Sequence, residues 1–273
     1  MAARPADLPD YREPPIDEVV IGVQFNPVIG FADAMVGTFW DHVRAEFPTV
    51  RTVPRIQTPI ETPGTPLPPQ PIQFAPDPIP LARTWLETSD RKLLIQIQDD
   101  RYLHNWRRGQ QPYAPYPHFE ELLDRFVARW NEYSQFLQSH LSLPPPSIIQ
   151  VEVSYINWFV DLAPEDFLRP AAAAHVDVPG VSPMPHGQSW TAFYHVMDGN
   201  QPIGRLYVQG LPATRNEPPE GPGMQFALTV RIPCAGQPES EIPQHLLRAR
   251  SAIVRSFDEL TTATAHSNWG RFT

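Results

Sequence analysis

The stretch RKLLIQIQDDRYLHNWRR, residues 91–108, gives the clearest indication of how this chain folds. Apolar and polar residues alternate on both sides of its Asp-Asp pair, which is typical of two strands joined by a tight turn. With a two-residue turn, Gln98 lies opposite Arg101 and Gln96 lies opposite Leu103. The stretch therefore predicts a β-hairpin within an antiparallel sheet.

The two faces of the predicted hairpin differ in chemistry. The residues of one face are mostly apolar and predict core positions: Leu93, Ile95, Ile97, Tyr102, His104 and Trp106. The residues of the other face are amides and arginines: Gln96, Gln98, Arg101, Asn105 and Arg107. Solvent-exposed strand faces usually carry Thr, Lys and Glu, so this set indicates fixed hydrogen-bond partners. Those partners are a ligand, another chain, or a covering segment such as the proline-rich stretch described below.

Periodicity extends the prediction to the rest of the chain. Alternating runs predict further strands within residues 16–27, 82–90, 147–160, 189–198, 203–210 and 223–233. Amphipathic runs predict helices within residues 31–48, 116–137 and 242–262. This order predicts an α+β fold, with a mostly antiparallel sheet and three main helices packed on one face. We expect one compact domain of residues 1–273, whose halves of about 14–142 and 147–273 form two pseudo-duplicated strand-helix-strands units.

Proline is concentrated in the connectors. The chain of 273 residues contains 35 prolines, and the longest proline-rich connector spans residues 53–80. Such a composition favours extended, polyproline-type backbone. A rigid connector is the preferred interpretation over a docking motif for a partner domain.

Charge and cysteine content disfavour several classes of protein. A net charge of −9 disfavours a nucleic-acid binder, which needs a phosphate-neutralising surface. One cysteine, Cys234, excludes an intramolecular disulfide and a multi-cysteine metal site. There is no apolar run of the length that a membrane helix needs, and the first residues lack the apolar region of a secretory signal. We therefore expect a cytoplasmic protein with no membrane segment.

No catalytic or metal-binding motif is recognisable in the sequence. The chain has no G-x-S-x-G nucleophile motif, no phosphate-binding glycine loop and no helical histidine pair. Four residues with ligand side chains, His175, Asp177, His186 and His195, lack the close spacing of zinc ligands. The sequence therefore predicts no metal and no cofactor, and it identifies no catalytic residue.

Seven motifs, in this order and spacing, resemble a sporadically distributed family of uncharacterised bacterial proteins of similar length. They are PPIDEVVIGVQFNP, QIQDDRYLHNWRR, YPHFEELLDRF, VEVSYINW, GRLYV, LTVR and IVRSFDELTTATAHSNWGR. The resemblance spans nearly the whole chain, and the departures lie in longer proline-rich connectors. It implies an accessory gene, comparable with defence, toxin–antitoxin or immunity genes, but no established activity.

Three functional hypotheses remain open for the polar strand faces. The candidate binding residues are Gln96, Gln98, Arg101, Asn105, Arg107, Glu152 and Arg205. In the leading hypothesis they form a binding module for a small polar ligand, a protein partner or a second copy of the chain. In the second, Glu152, Arg101 and Arg205 converge in the cleft of an enzyme that acts on a polar or anionic substrate. In the third, the amides are buried within a scaffold that binds nothing.

Overall fold

The computed structural model describes residues 5–66, 82–109, 115–160, 168, 189–215 and 220–272. Within these residues the chain forms an α+β fold built on one nine-stranded sheet with four α-helices. The strands are β1 (Ile16–Phe25), β2 (Thr49–Val53), β3 (Arg83–Glu87), β4 (Leu93–Gln98), β5 (Arg101–Arg107), β6 (Ile148–Val160), β7 (Trp190–Asp198), β8 (Gln201–Arg215) and β9 (Gly221–Pro233). The helices are α1 (Asp33–Val43), α2 (Phe119–Ser139), α3 (Ile242–Leu260) and α4 (Ala263–Asn268).

The sheet is antiparallel at every strand pair. Its strand order is β2-β3-β4-β5-β1-β6-β9-β8-β7. The predicted hairpin is confirmed as β4 and β5, with Gln98 opposite Arg101 and Gln96 opposite Leu103. The hairpin lies beside β1, so its polar residues sit well inside the sheet and not at an edge.

Among the described residues, the two halves of the chain follow a similar strand order, with four outer strands in the first half and three in the second. In each half the first strand, β1 or β6, lies at the centre of the sheet. The strands that follow it run inward from the edge, from β2 to β5 in the first half and from β7 to β9 in the second. A long helix, α2 or α3, then follows the innermost strand. A glutamate on each central strand pairs with an arginine on the neighbouring strand of its half: Glu18 with Arg107, and Glu152 with Arg231.

Helices α2 and α3 cover one face of the sheet, and the hydrophobic core lies between them and the strands. Alternation along each strand sends every second side chain to this face, including the fully buried Val153 and Leu228. Aromatic residues of α2 pack on the predicted apolar face of the hairpin, where Tyr102 stacks on Tyr133 with ring centroids 4.9 Å apart. Helix α1 joins the same layer, since Phe39 packs edge-on against Tyr133. The apolar face of the hairpin is therefore confirmed as core.

The structure differs from the sequence prediction at several boundaries. Strand β2 lies just after Pro48, in a run for which the sequence predicts no strand. The short helix α4 follows the predicted helix of residues 242–262. Strands β8 and β9 extend into residues 211–222, which lie between two predicted strands, and they include Pro212 and Pro222. Helix α1 ends at Val43, several residues before the predicted stop.

Three of the four residues with ligand side chains, His175, Asp177 and His186, lie outside the described residues. The fourth, His195, lies on strand β7 and is exposed.

Candidate functional site

The face of the sheet opposite the helices carries the polar residues, and we call it the polar face. Gln98, Arg101, Gln24 and Gln150 lie opposite one another in a row across β4, β5, β1 and β6. All four side chains are buried, although the helices lie on the other side of the sheet. A segment of the same chain, residues 54–66, bonds to Gln98, Arg101 and Gln150, and we call it the strap. The strap is the described part of the predicted proline-rich connector.

Two glutamines hold the backbone of the strap through both ends of their side-chain amides. Gln98 Oε1 accepts a hydrogen bond from the backbone N–H of Ile56 at 2.7 Å, and Gln98 Nε2 donates to the Ile56 carbonyl at 3.2 Å. Gln150 Oε1 accepts from the N–H of Glu61 at 2.8 Å, and Gln150 Nε2 donates to the Pro59 carbonyl at 3.4 Å. Each side-chain amide thus pairs with peptide groups much as a neighbouring strand would.

Arg101 lies between the two glutamines and is only partly satisfied. Its Nη2 donates to Gln24 Oε1 at 2.9 Å and to the hydroxyl of Thr58 in the strap. Its Nε and Nη1 have no hydrogen-bond partner in the described part of the chain, and Nη1 lies 3.9 Å from a Glu152 oxygen. Burial lowers the pKa of Arg101, against the opposing effect of Glu152. Buried donors of this kind are rare, so Arg101 retains capacity for a further acceptor.

Glu61 is the one buried residue of the strap and has a charged partner. Arg205 Nε donates to Glu61 Oε2 at 2.8 Å, and the Tyr207 hydroxyl donates to the other carboxylate oxygen. Arg205 Nη2 also donates to the Thr65 carbonyl at 2.8 Å. Burial and the bond to Glu61 raise the pKa of Tyr207 to about 12, so its hydroxyl remains a donor far above neutral pH.

The other end of the strap is held by the turn of the hairpin. Arg55 contacts the carboxylates of both turn residues, Asp99 and Asp100, the latter at 2.9 Å. The strap is therefore fixed through a cation at one end and an anion at the other, with the two glutamines between them.

A second polar cluster, around Trp85, lies beside the strap toward β2. The guanidinium groups of Arg83 and Arg107 lie over the Trp85 ring, at 5.4 and 4.9 Å from its centroid. Gln96 Nε2 donates to Asn105 Oδ1 at 2.8 Å, and Gln96 Oε1 accepts from Arg83 at 2.7 Å. The ring of Trp85 is half-buried and donates to Gln96 as well. The amide of Gln96 is therefore satisfied within this cluster.

Carboxylates neutralise one arginine of the second cluster. Arg107 bonds to Glu18 at 3.0 Å and to Glu87 at 2.8 Å. Burial alone would lower the pKa of Arg107, but these two carboxylates raise it. Asn105 also donates to Glu18, at 2.6 Å. Arg107 is therefore a member of a buried ion-pair network and not a free cation.

Glu152 is bound in a structural ion pair. Its carboxylate accepts from Arg231 Nε, and the Arg231 guanidinium lies over the Tyr207 ring at 4.5 Å. Burial would raise the pKa of Glu152, but Arg231 and then Arg101 outweigh burial and lower it. A carboxylate that remains ionised and paired is poorly suited to proton transfer.

The seven predicted candidates all lie on the polar face, in separate groups. Gln98, Arg101 and Arg205 contact the strap directly. The cluster around Trp85 contains the next three: Gln96, Asn105 and Arg107. Glu152, the seventh, is paired with Arg231 and lies 3.9 Å from Arg101 Nη1. The fixed partners that the sequence predicts for the hairpin amides thus include a covering segment of the same chain.

The predicted enzyme cleft requires Glu152, Arg101 and Arg205 to meet. Glu152 lies near Arg101, but in the described part of the chain Arg205 contacts Glu61 and Thr65 instead. The contacts give each of these charged groups a structural partner from the chain itself. Among the described residues, Glu152 and Arg205 are therefore both members of ion pairs, with Arg231 and Glu61 as their partners.

Several residues that complete the polar face are not among the seven candidates. Glu61 lies in a proline-rich segment without periodicity, and it meets Arg205 across 144 positions of sequence. Gln24 and Gln150 carry the same signal as the candidates, since each is an amide on an alternating strand. Trp85 lies on a strand of only five residues, which is too short to show which face it occupies.

No protein-family model, curated protein or solved structure matches this chain. In the part of the chain that the structure describes, no helix is long and apolar enough to cross a membrane. The same residues contain no group of three metal-ligand side chains. Function is therefore inferred from the contacts of the polar face.

Proposed function

We propose that this protein is an interaction module that binds an extended segment of polypeptide across the polar face of its sheet. The observation that carries the proposal is the pair of amide clamps, in which Gln98 and Gln150 each hold backbone groups of the strap. Backbone groups are available in any extended peptide, so the face is chemically suited to such a ligand. In this proposal the strap occupies the site within its own chain.

The way in which the strap is attached supports exchange with an external segment. No residue of 54–66 belongs to the hydrophobic core, and Ile60 leaves 43% of its surface exposed. The attachment consists of hydrogen bonds and ion pairs, which contribute about 1 kcal/mol each after water is displaced. A segment with the same polar contacts could therefore replace the strap without disturbing the core.

Aromatic and arginine side chains on the polar face also favour a protein partner. Trp85, Tyr207 and Trp158 are half-buried rings on this face, each with an arginine guanidinium within 6 Å of its centroid. Tryptophan, tyrosine and arginine are the residues enriched in protein interfaces. Arg101 Nε and Nη1, which have no hydrogen-bond partner among the described residues, would donate to a carbonyl of the bound segment. The accessory, defence-like role that the family resemblance implies is compatible with such a module.

A peptide-binding experiment tests the proposal. The strap is replaced by a Gly/Ser segment of equal length, and a fluorescent peptide of residues 53–66, VPRIQTPIETPGTP, is titrated in trans. We expect saturable binding, with a Kd on the order of 10–100 μM, because the cost of ordering the peptide offsets part of the gain from its polar contacts. Substituting Ala for both Gln98 and Gln150 should abolish it.

The control is Gln209→Ala, which removes an exposed amide of the same face. It should leave peptide binding unchanged. If the strap-replaced protein is folded but does not bind the peptide, the proposal is contradicted. Circular dichroism establishes that the protein is folded before each titration.

A further inference from the structure

The two charged anchors of the strap define a chemical class of ligand for the polar face. We propose that the bound polypeptide carries a basic residue and, six positions later, an acidic residue, in the positions that Arg55 and Glu61 occupy. This inference rests on the proposed function, because it assumes that a polypeptide binds the face in trans. It adds side-chain selectivity to the backbone contacts of the two glutamines.

The acidic position is a built carboxylate site. Arg205 and Tyr207 donate to different oxygens of Glu61, and the side chains of Arg205 and Glu61 are 6% and 3% exposed. A buried guanidinium without a carboxylate is strongly unfavourable, so this site demands an anionic ligand group. A glutamine in the ligand would keep the shape but lose the charge-assisted hydrogen bonds.

The basic position has the opposite charge requirement, because carboxylates surround it. Asp99 and Asp100 form the turn between β4 and β5, and both carboxylates contact the Arg55 guanidinium. Arginine is suited to two carboxylates at once because its planar donors point in several directions. The turn therefore selects a cation at one end of the bound segment.

The width of the sheet between the two anchors is compatible with the spacing between the two charges. The turn adjoins β5, and β8, which carries Arg205, lies four strands further across the sheet. Four spacings of about 4.8 Å amount to roughly 19 Å. Six residues of extended chain also advance roughly 19 Å, at about 3.1 Å each. A separation close to six residues therefore matches the distance between the two anchors.

The direction of the bound chain follows from the same contacts. The order along the strap is Arg55 at the turn, Ile56 at Gln98, Thr58 at Arg101 and Glu61 at Arg205. A peptide with the two charges exchanged would place like charges together at both anchors. The order of the two charges along the peptide is therefore a second requirement, in addition to the presence of both charges.

Peptide variants test the inference with the strap-replaced protein. The parent peptide 53–66 is compared with E61Q, with R55Q, and with a peptide in which Arg and Glu exchange positions. We expect each single change to weaken binding roughly tenfold or more, and the exchanged peptide to lose binding, because charge-assisted hydrogen bonds are lost. Against the Arg205→Gln protein, the parent and E61Q peptides should bind equally.

The outcomes separate this inference from the proposed function. Equal binding of all peptides would overturn the charge requirement and leave the polypeptide-binding function standing. Failure of every peptide to bind a folded protein would overturn the function itself, and the inference with it.

A second measurement applies if the strap-replaced protein does not fold. In the intact chain, Glu61→Gln and Arg205→Gln should each speed hydrogen exchange of the Ile56 amide roughly tenfold or more, since either change releases the acidic anchor. The double variant should be no faster than either single variant. Unchanged exchange in both single variants would overturn the inference.

Discussion

The two faces of the sheet are both covered, but different interactions hold their covers in place. On the helix side, α2 and α3 pack apolar and aromatic side chains against the strands. On the polar face, the strap contributes hydrogen bonds and ion pairs and no core residue. Water cannot replace hydrophobic contacts, whereas polar groups can be satisfied by water or by another chain. The helix side therefore maintains the fold, and we expect the polar face to be the one that binds.

Phe126→Ala is expected to have the largest effect, because it removes a helix-side contact. Phe126 is 1% exposed and packs near Tyr102. Deleting a buried phenylalanine leaves a cavity and lowers the free energy of unfolding by about 3–5 kcal/mol. Denaturant unfolding measures the change. The control is Ile60→Ala in the exposed part of the strap, which should change stability by less than about 0.5 kcal/mol.

His104 provides a pH-dependent test of the same helix side. Burial, with smaller contributions from Arg129 and Arg125, lowers the pKa of His104 to about 3. The unfolded chain binds this proton near the ordinary histidine pKa of about 6.5, whereas the folded chain does not bind it until far lower pH. Stability should therefore fall as the pH drops through this window, by about 1.4 kcal/mol per unit. Unfolding of the wild type in urea between about pH 7 and 4 measures the slope.

The His104→Gln variant should remove most of this slope at mildly acidic pH. At lower pH the free energy of unfolding falls further, because Glu152 becomes protonated. The pKa of Glu152 is lowered in the folded chain, so its ionised form stabilises the fold and acid removes this contribution. His140→Gln is the control, since His140 is exposed at the end of α2. If H104Q keeps the full slope of the wild type, His104 is not the buried neutral group described here.

Gln150→Ala should have a much smaller effect on global stability. The substitution breaks the clamp on Glu61, but the freed strap groups can bind water. We expect a loss below about 1 kcal/mol in urea unfolding, together with faster proteolysis within the strap. A loss comparable with that of F126A would show that the strap is part of the core architecture. Gln209→Ala on the same face should change neither quantity.

The architecture was largely predictable because alternation reports which side of a strand is buried. The hairpin register and its apolar face follow from the pattern around Asp99 and Asp100. The sequence predicts no strand between residues 210 and 223, but the strands continue through Pro212 and Pro222, because the ends of a long hairpin tolerate residues without an N–H. Strand β2 was missed because five residues after a proline carry too little pattern.

The composition of the polar face was predictable, but its contacts were not. Glutamines on alternating strands indicated fixed hydrogen-bond partners, and Gln98 and Gln150 have them. The sequence did not distinguish a ligand, another chain and a covering segment as the partner. An irregular segment such as the strap has no periodicity that could be matched to a strand. Long-range pairs such as Glu61 with Arg205 depend on the folded path of the chain. Such pairs follow from the tertiary structure and not from local pattern.

Hydrogen exchange of the intact protein tests most directly whether the strap is exchangeable. The N–H groups of Ile56 and Glu61 bond to the two glutamines, whereas Val153 lies in the central strand β6. We predict that the two strap amides exchange through local detachment, about 1000-fold or more faster than the Val153 amide once intrinsic rates are corrected. Equal protection of all three amides, with exchange only through global unfolding, would contradict this account.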